Sequence, residues 1–98
     1  MNLGKIDYVS KTYIKYVNFS KAVLWKDRQL SLPLPVISTI EKAGIEKIIF
    51  IDNNKNEKWM FDTKDVLQRG LQKSVGQEPQ WYFPIELATK SIVKETFM

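Results

Sequence analysis

Ninety-eight residues, 44% of them hydrophobic and with a mean hydropathy of −0.28, suffice for one domain with its own core and are too apolar for a disordered chain. The chain has no cysteine and no histidine, which excludes disulfides, thiol nucleophiles, a Ser-His-Asp triad and the commonest zinc ligands. Its net charge of +4 comes from the first third: residues 1–33 hold six basic residues against two acids, residues 34–66 five against six, and residues 67–98 four against three.

No apolar run approaches the ~18 residues that span a bilayer, and residues 1–7 lack the apolar core of a signal peptide. With cysteine absent as well, the expectation is a cytoplasmic protein with no membrane contact. Asn18-Phe19-Ser20 spells a glycosylation sequon, which in a chain without an export signal is coincidence.

In chain order, residues 6–17 read as one long strand rich in Tyr, Val, Ile and Thr. Period two places Tyr8, Thr12, Ile14 and Tyr16 on a core-directed face, and Val9, Lys11, Tyr13, Lys15 and Val17 on a wet one. A turn at residues 18–20 leads to a second strand over 21–26, which Asp27 and Arg28 end. Pro33 and Pro35 remove two ladder donors, so residues 30–35 belong at a sheet edge or in a connector. Pro35 suits the first turn of a helix over 35–43, where Val36, Ile37, Ile40 and Ala43 form one apolar stripe and Gly44 supplies the stop.

Residues 48–51, Ile-Ile-Phe-Ile, are the most apolar run and predict a strand buried on both faces, paired as a hairpin with residues 59–61. Asp62 then caps a short helix that Val66 and Leu67 hold to the core and Gly70 ends. Residues 71–79 read as loop, residues 80–83 as a last strand, and the tail after Pro84 as either a helix through Ile85, Ala88 and Ile92 or an edge strand at Ile92 and Val93. The sum is a single compact domain over residues 1–98. Its class is α+β: a small, mostly antiparallel sheet of about five strands in the order ββαββαβ, with two or three short helices packed on it.

Three patterns bear on chemistry. Asp52, Asn54 and Asn56 alternate as the first ligands of a calcium loop do, but Glu57 replaces the required glycine and Thr63 the bidentate glutamate, so the stretch is a hairpin turn and no metal is expected. Asp52, Glu57 and Lys58 are the pieces of a carboxylate-metal hydrolase, yet they flank a turn that does not hold two carboxylates in fixed geometry; no enzyme and no cofactor is expected. Lys11, Tyr13 and Lys15, followed by Lys21, Trp25, Lys26 and Arg28, interleave cations with rings as single-strand and RNA-binding sheets do. The plainer account has the rings filling the core and the lysines guarding an edge.

The sequence therefore favours a small non-enzymatic binding module that contacts DNA or RNA through Lys11, Tyr13, Lys15, Lys21, Lys26 and Arg28. The alternative is a protein-interaction or self-assembling module, with a protein partner or a homodimer formed through Trp81, Tyr82 and Phe83 or through the sheet edge near Pro33 and Pro35.

Overall fold

The structure, a computed structural model, describes residues 4–17, 29–52, 57–75 and 78–92. It is an α+β fold with two sheets and mostly antiparallel pairing. In chain order the elements are β1 (Lys5–Asp7), β2 (Thr12–Val17), β3 (Gln29–Pro33), α1 (Leu34–Lys42), β4 (Lys47–Asp52), β5 (Glu57–Asp62), α2 (Thr63–Arg69), β6 (Leu71–Val75), β7 (Glu78–Pro84), a 3-10 turn (Ile85–Leu87) and β8 (Thr89–Ile92). Five strands form one sheet in the order β1-β2-β4-β5-β8, and three form the other in the order β3-β7-β6.

The Ile-rich strand lies where its composition puts it. β4 is the middle strand of five; Ile48 and Phe50 are fully buried on one face, and Ile49 is buried on the other. It pairs antiparallel with β5, Ile48 opposite Phe61 and Phe50 opposite Trp59. Its other neighbour is β2, in parallel register, with Tyr13 opposite Ile48 and Lys15 opposite Phe50. That parallel pair requires a crossover, which β3 and α1 supply.

The core lies between the inner face of the five-stranded sheet and the other elements. One cluster joins Tyr13, Ile48, Phe50 and Phe61 to Leu30, Leu32 and Phe83 of the second sheet, to Ile37 and Ile40 of α1, and to Val66 of α2. The rings of Phe50, Phe61 and Phe83 meet at its centre, 5.2–6.3 Å apart between centroids, with two of the three contacts edge-to-face. Such contacts contribute about 0.5–1.5 kcal/mol each beyond area burial.

Several elements differ from the sequence expectation. The long strand over 6–17 is two strands, because Asp7 makes a turn: its Oδ1 accepts the Val9 N–H at 2.9 Å and the Ser10 N–H at 3.2 Å. The faces of β2 are also exchanged. Tyr13 is 2% exposed and Val17 packs on the core, whereas Tyr16 is exposed. Both faces of this strand are apolar, so pairing decides, and register with Ile48 and Phe50 turns the odd-numbered residues inward. Residues 71–75 form strand β6 rather than loop, held by the ladder to β7. The tail forms an edge strand earlier than expected, β8 over Thr89–Ile92 pairing with β5, while Val93 lies outside the described residues. The expected strand over 21–26 lies outside the described residues.

The helices fall close to expectation. α1 spans Leu34–Lys42 with proline in its first turn, and Gly44 follows it at φ 68°, the left-handed conformation that glycine adopts without strain. α2 starts after Asp62 and stops at Gly70, yet the Asp62 carboxylate makes no capping bond; it pairs instead with Lys47 at 3.4 Å. β3, with Pro33, is an edge strand of the smaller sheet, as the prolines require.

Candidate binding site at the β1 edge

β1 is the outermost strand of the five-stranded sheet at the end where α1 packs, and among the described residues nothing pairs with its outer side. Gly4, Ile6 and Tyr8 share the inner face of this edge with Tyr13 of β2. Opposite them stand Pro35, Val36 and Thr39 from the first turns of α1. Together these seven residues line an open, mainly apolar recess of ≈ 400 Å³. Tyr8 is 67% exposed on its rim and Val9, at the tip of the turn, is 95% exposed. Among the described residues, two of the most exposed large hydrophobic side chains are thus neighbours beside an apolar recess that none of these residues fills.

The local sequence accounts for this shape. Gly4, at φ 85°, sits so close to the Tyr13 phenol that a Cβ there would overlap the ring. The Asp7 turn reverses the chain after only three strand residues, and the backbone hydrogen bonds from Ser10 and then Val9 hold the Asp7 carboxyl below the usual carboxylate range. Lys11 closes the turn at φ 57°, and its carbonyl accepts N–H bonds from Glu46 at 2.8 Å and Lys47 at 3.3 Å, fixing the hairpin to the start of β4. Burial pushes the Tyr13 hydroxyl up to about 12, so this wall of the recess stays neutral at physiological pH.

The basic and aromatic residues singled out in the sequence do not converge here. Lys11 is exposed at the turn. Tyr13 is a core residue, which corrects its expected place on a wet face and removes its ring from any stacking surface. Lys15 lies on the same inner face and is half-buried, its ammonium held below the usual lysine range by desolvation. Lys21, Lys26 and Arg28 lie outside the described residues.

The second predicted surface is also revised. Phe83 is fully buried, so it presents nothing to a partner. Trp81 packs against the core, and its indole N–H donates to the Val66 carbonyl at 2.8 Å. Tyr82 points to the opposite face of β7 and is half-buried, with the Lys73 ammonium 5.5 Å from its ring centre. Of the hydrolase pieces, Asp52 is buried and stands opposite Glu57 on the inner face, while Lys58 lies on the other face opposite Ile51. The three do not form one site. Among the described residues no group of three or more acidic side chains is placed to hold a metal ion, and no helix is long and apolar enough to cross a membrane.

Sequence reasoning missed the β1 edge because it joined β1 and β2. The signal was present: twelve residues is about twice a typical strand, and Asp7 followed by Ser10 and Lys11 is turn chemistry. Comparison with protein-family models, with curated proteins and with solved structures finds no match for this chain.

Proposed function

We propose that this chain is a non-enzymatic binding module whose partner is a protein, engaged as an extra strand along the outer edge of β1, with which no described residue pairs. The observation that supports this is the pairing of an open strand edge with an apolar recess directly beneath it, Tyr8 standing exposed on the rim. A strand laid antiparallel to β1 gains backbone hydrogen bonds from the edge, and every second side chain points to the inner face. One of those side chains occupies the recess beside Ile6. The composition supports the non-enzymatic part, since neither histidine nor cysteine is available for acid–base or nucleophilic work.

The test is selection of random extended peptides from a display library on the immobilised protein, followed by titration of the selected peptides against Thr39→Trp. Thr39 is an exposed helix residue on the recess wall, so the indole fills the recess from a position that tolerates it. The expected result is peptides with a central apolar residue whose affinity falls at least about tenfold in the variant, the ~1.5–3 kcal/mol of one buried apolar side chain. Absence of any selected peptide, or equal binding by the variant, overturns the proposal. Binding of single-stranded oligonucleotides that weakens steeply with salt would favour the nucleic-acid alternative, to which the described residues contribute one exposed cation, Lys11, from the original set.

A further inference from the structure

Strand addition at β1 leaves open which strand is added, and the inference that follows rests on that proposal. We infer that the strand is β1 of a second copy of this chain, paired antiparallel about a two-fold axis at Ile6. β1 reads Lys5-Ile6-Asp7, base, apolar, acid. An antiparallel partner best suited to it must place an acid opposite Lys5, an apolar residue opposite Ile6 and a base opposite Asp7. Read from its own N-terminus, that partner is base, apolar, acid, which is β1 itself.

Register selects the same arrangement. Pairing Ile6 with Ile6 sets Lys5 of each copy opposite Asp7 of the other, twice by symmetry. Moving two residues either way sets Lys5 against Lys5 or Asp7 against Asp7, and directly opposed like charges destabilise a ladder. Moving by one residue turns the partner's apolar position to the other face. Both charged side chains are exposed and available for the pairing. The two backbone turn bonds of Asp7 go to Oδ1, and the carboxylate stays exposed where the partner's ammonium approaches. Ile6 lies on the recess side of the strand, so Ile6 of the second copy reaches the mouth of the first copy's recess, and the reverse. The two five-stranded sheets become one continuous sheet, and the dimer pairs the edge that the described residues leave open.

Sedimentation velocity of the full chain from about 10 µM to about 1 mM, a range that resolves weak association, tests this. Wild type is expected to pass from monomer to dimer. Lys5→Glu, an exposed substitution that sets a carboxylate against Asp7 twice, is expected to weaken the dimer at least about tenfold. Asp7→Asn, whose amide oxygen keeps the turn bonds, is expected to weaken it about threefold. Lys5→Glu mixed in equal amounts with Asp7→Lys is expected to regain dimer, because that heterodimer has both charge pairs restored. Circular dichroism checks that each variant is folded, and Asp7→Asn carries the test if Asp7→Lys is not. A wild type that stays monomeric but binds the selected peptides overturns the second copy and leaves strand addition standing; a monomer that binds none removes both. A dimer whose strength is unchanged in Lys5→Glu and Asp7→Asn uses another surface and overturns the inference.

Discussion

The indole Nε1–H of Trp81 donates a 2.8 Å hydrogen bond to the carbonyl oxygen of Val66, across the position where Gly70 has no side chain. This bond ties β7 to the last turn of α2, and the Gly70 N–H reaches the same carbonyl at 3.0 Å. Gly70 is at φ −87°, which any residue adopts, so glycine is required there by space alone. A Cβ would overlap the indole and come within 2.7 Å of the Val66 carbonyl oxygen.

A double-mutant cycle follows from this contact. Trp81→Phe loses the hydrogen bond and part of the buried ring and is expected to cost about 1–3 kcal/mol. Gly70→Ala is expected to cost a similar amount through overpacking. The double variant should cost less than the sum, because phenylalanine lacks the pyrrole ring that the new methyl strikes. Relief is partial, since the Val66 carbonyl remains in the way. Urea unfolding of the four proteins measures the coupling, and simple additivity would show that the contact does not set the glycine requirement.

The two faces of β4 are not equivalent, which permits a second comparison. Phe50 is one of the three rings that meet in the core, whereas Ile49, although buried, faces away from that cluster. Phe50→Ala is expected to cost about 3–5 kcal/mol and to unfold a marginal domain of this size. Ile49→Val, one methylene smaller, is expected to cost about 0.5–1.5 kcal/mol. If thermal melts show Ile49→Val to be the more damaging of the two, the assignment of inner and outer faces is wrong.

Alkaline titration gives a third expectation, from two residues on the same face of β2. The Tyr13 hydroxyl is raised by burial from about 10 in the unfolded chain to about 12. Its contribution is therefore complete below pH 10 and is lost as pH rises through 12, amounting to about 2 kcal/mol there. Lys15 is shifted the opposite way: burial lowers it, so the unfolded chain holds the extra proton and stability rises with pH up to the unfolded value near 10.5. The two effects act in opposite senses on either side of about pH 10. Denaturation midpoints measured from pH 8 to pH 12 should show both, with Tyr13→Phe flattening the falling limb and Lys15→Met the rising one.

How far the sequence revealed this architecture depends on which force decided each element. Residues 48–51 admitted one solution, since four consecutive large apolar residues of strand-forming type have to be covered on both sides. α1 and α2 were legible from Pro35, Gly44 and Gly70, because proline and glycine act locally. β2 was not, because Ile14 and Tyr16 on one face compete evenly with Tyr13 and Val17 on the other, and the choice depends on parallel pairing with a strand some thirty-five residues away. β6 was missed for the reverse reason. Residues 71–74 are exposed and the stretch carries no alternating pattern, so only the ladder to β7 makes it a strand. The β1 edge escaped because neither recess nor open edge is a property of residues close in sequence: the recess needs Tyr8 and Pro35 brought together.

Lys11 provides the last test, and it separates a structural role from an electrostatic one. At φ 57° a residue with a Cβ is strained by about 1–2 kcal/mol, and the Lys11 carbonyl must stay where Glu46 and Lys47 reach it. Glycine relieves the strain at some cost in unfolded-chain entropy, so Lys11→Gly is expected to raise the unfolding free energy by up to about 1 kcal/mol. The same substitution removes a cation, and Lys11→Gln removes the cation without touching the strain. If the ammonium is unimportant, Lys11→Gln leaves stability within about 0.5 kcal/mol of wild type while Lys11→Gly raises it. Parallel salt titrations of both variants against single-stranded oligonucleotides then determine whether Lys11 neutralises a phosphate: a protein that binds with a slope reduced by about one in both variants uses that charge, and one whose slope is unchanged does not.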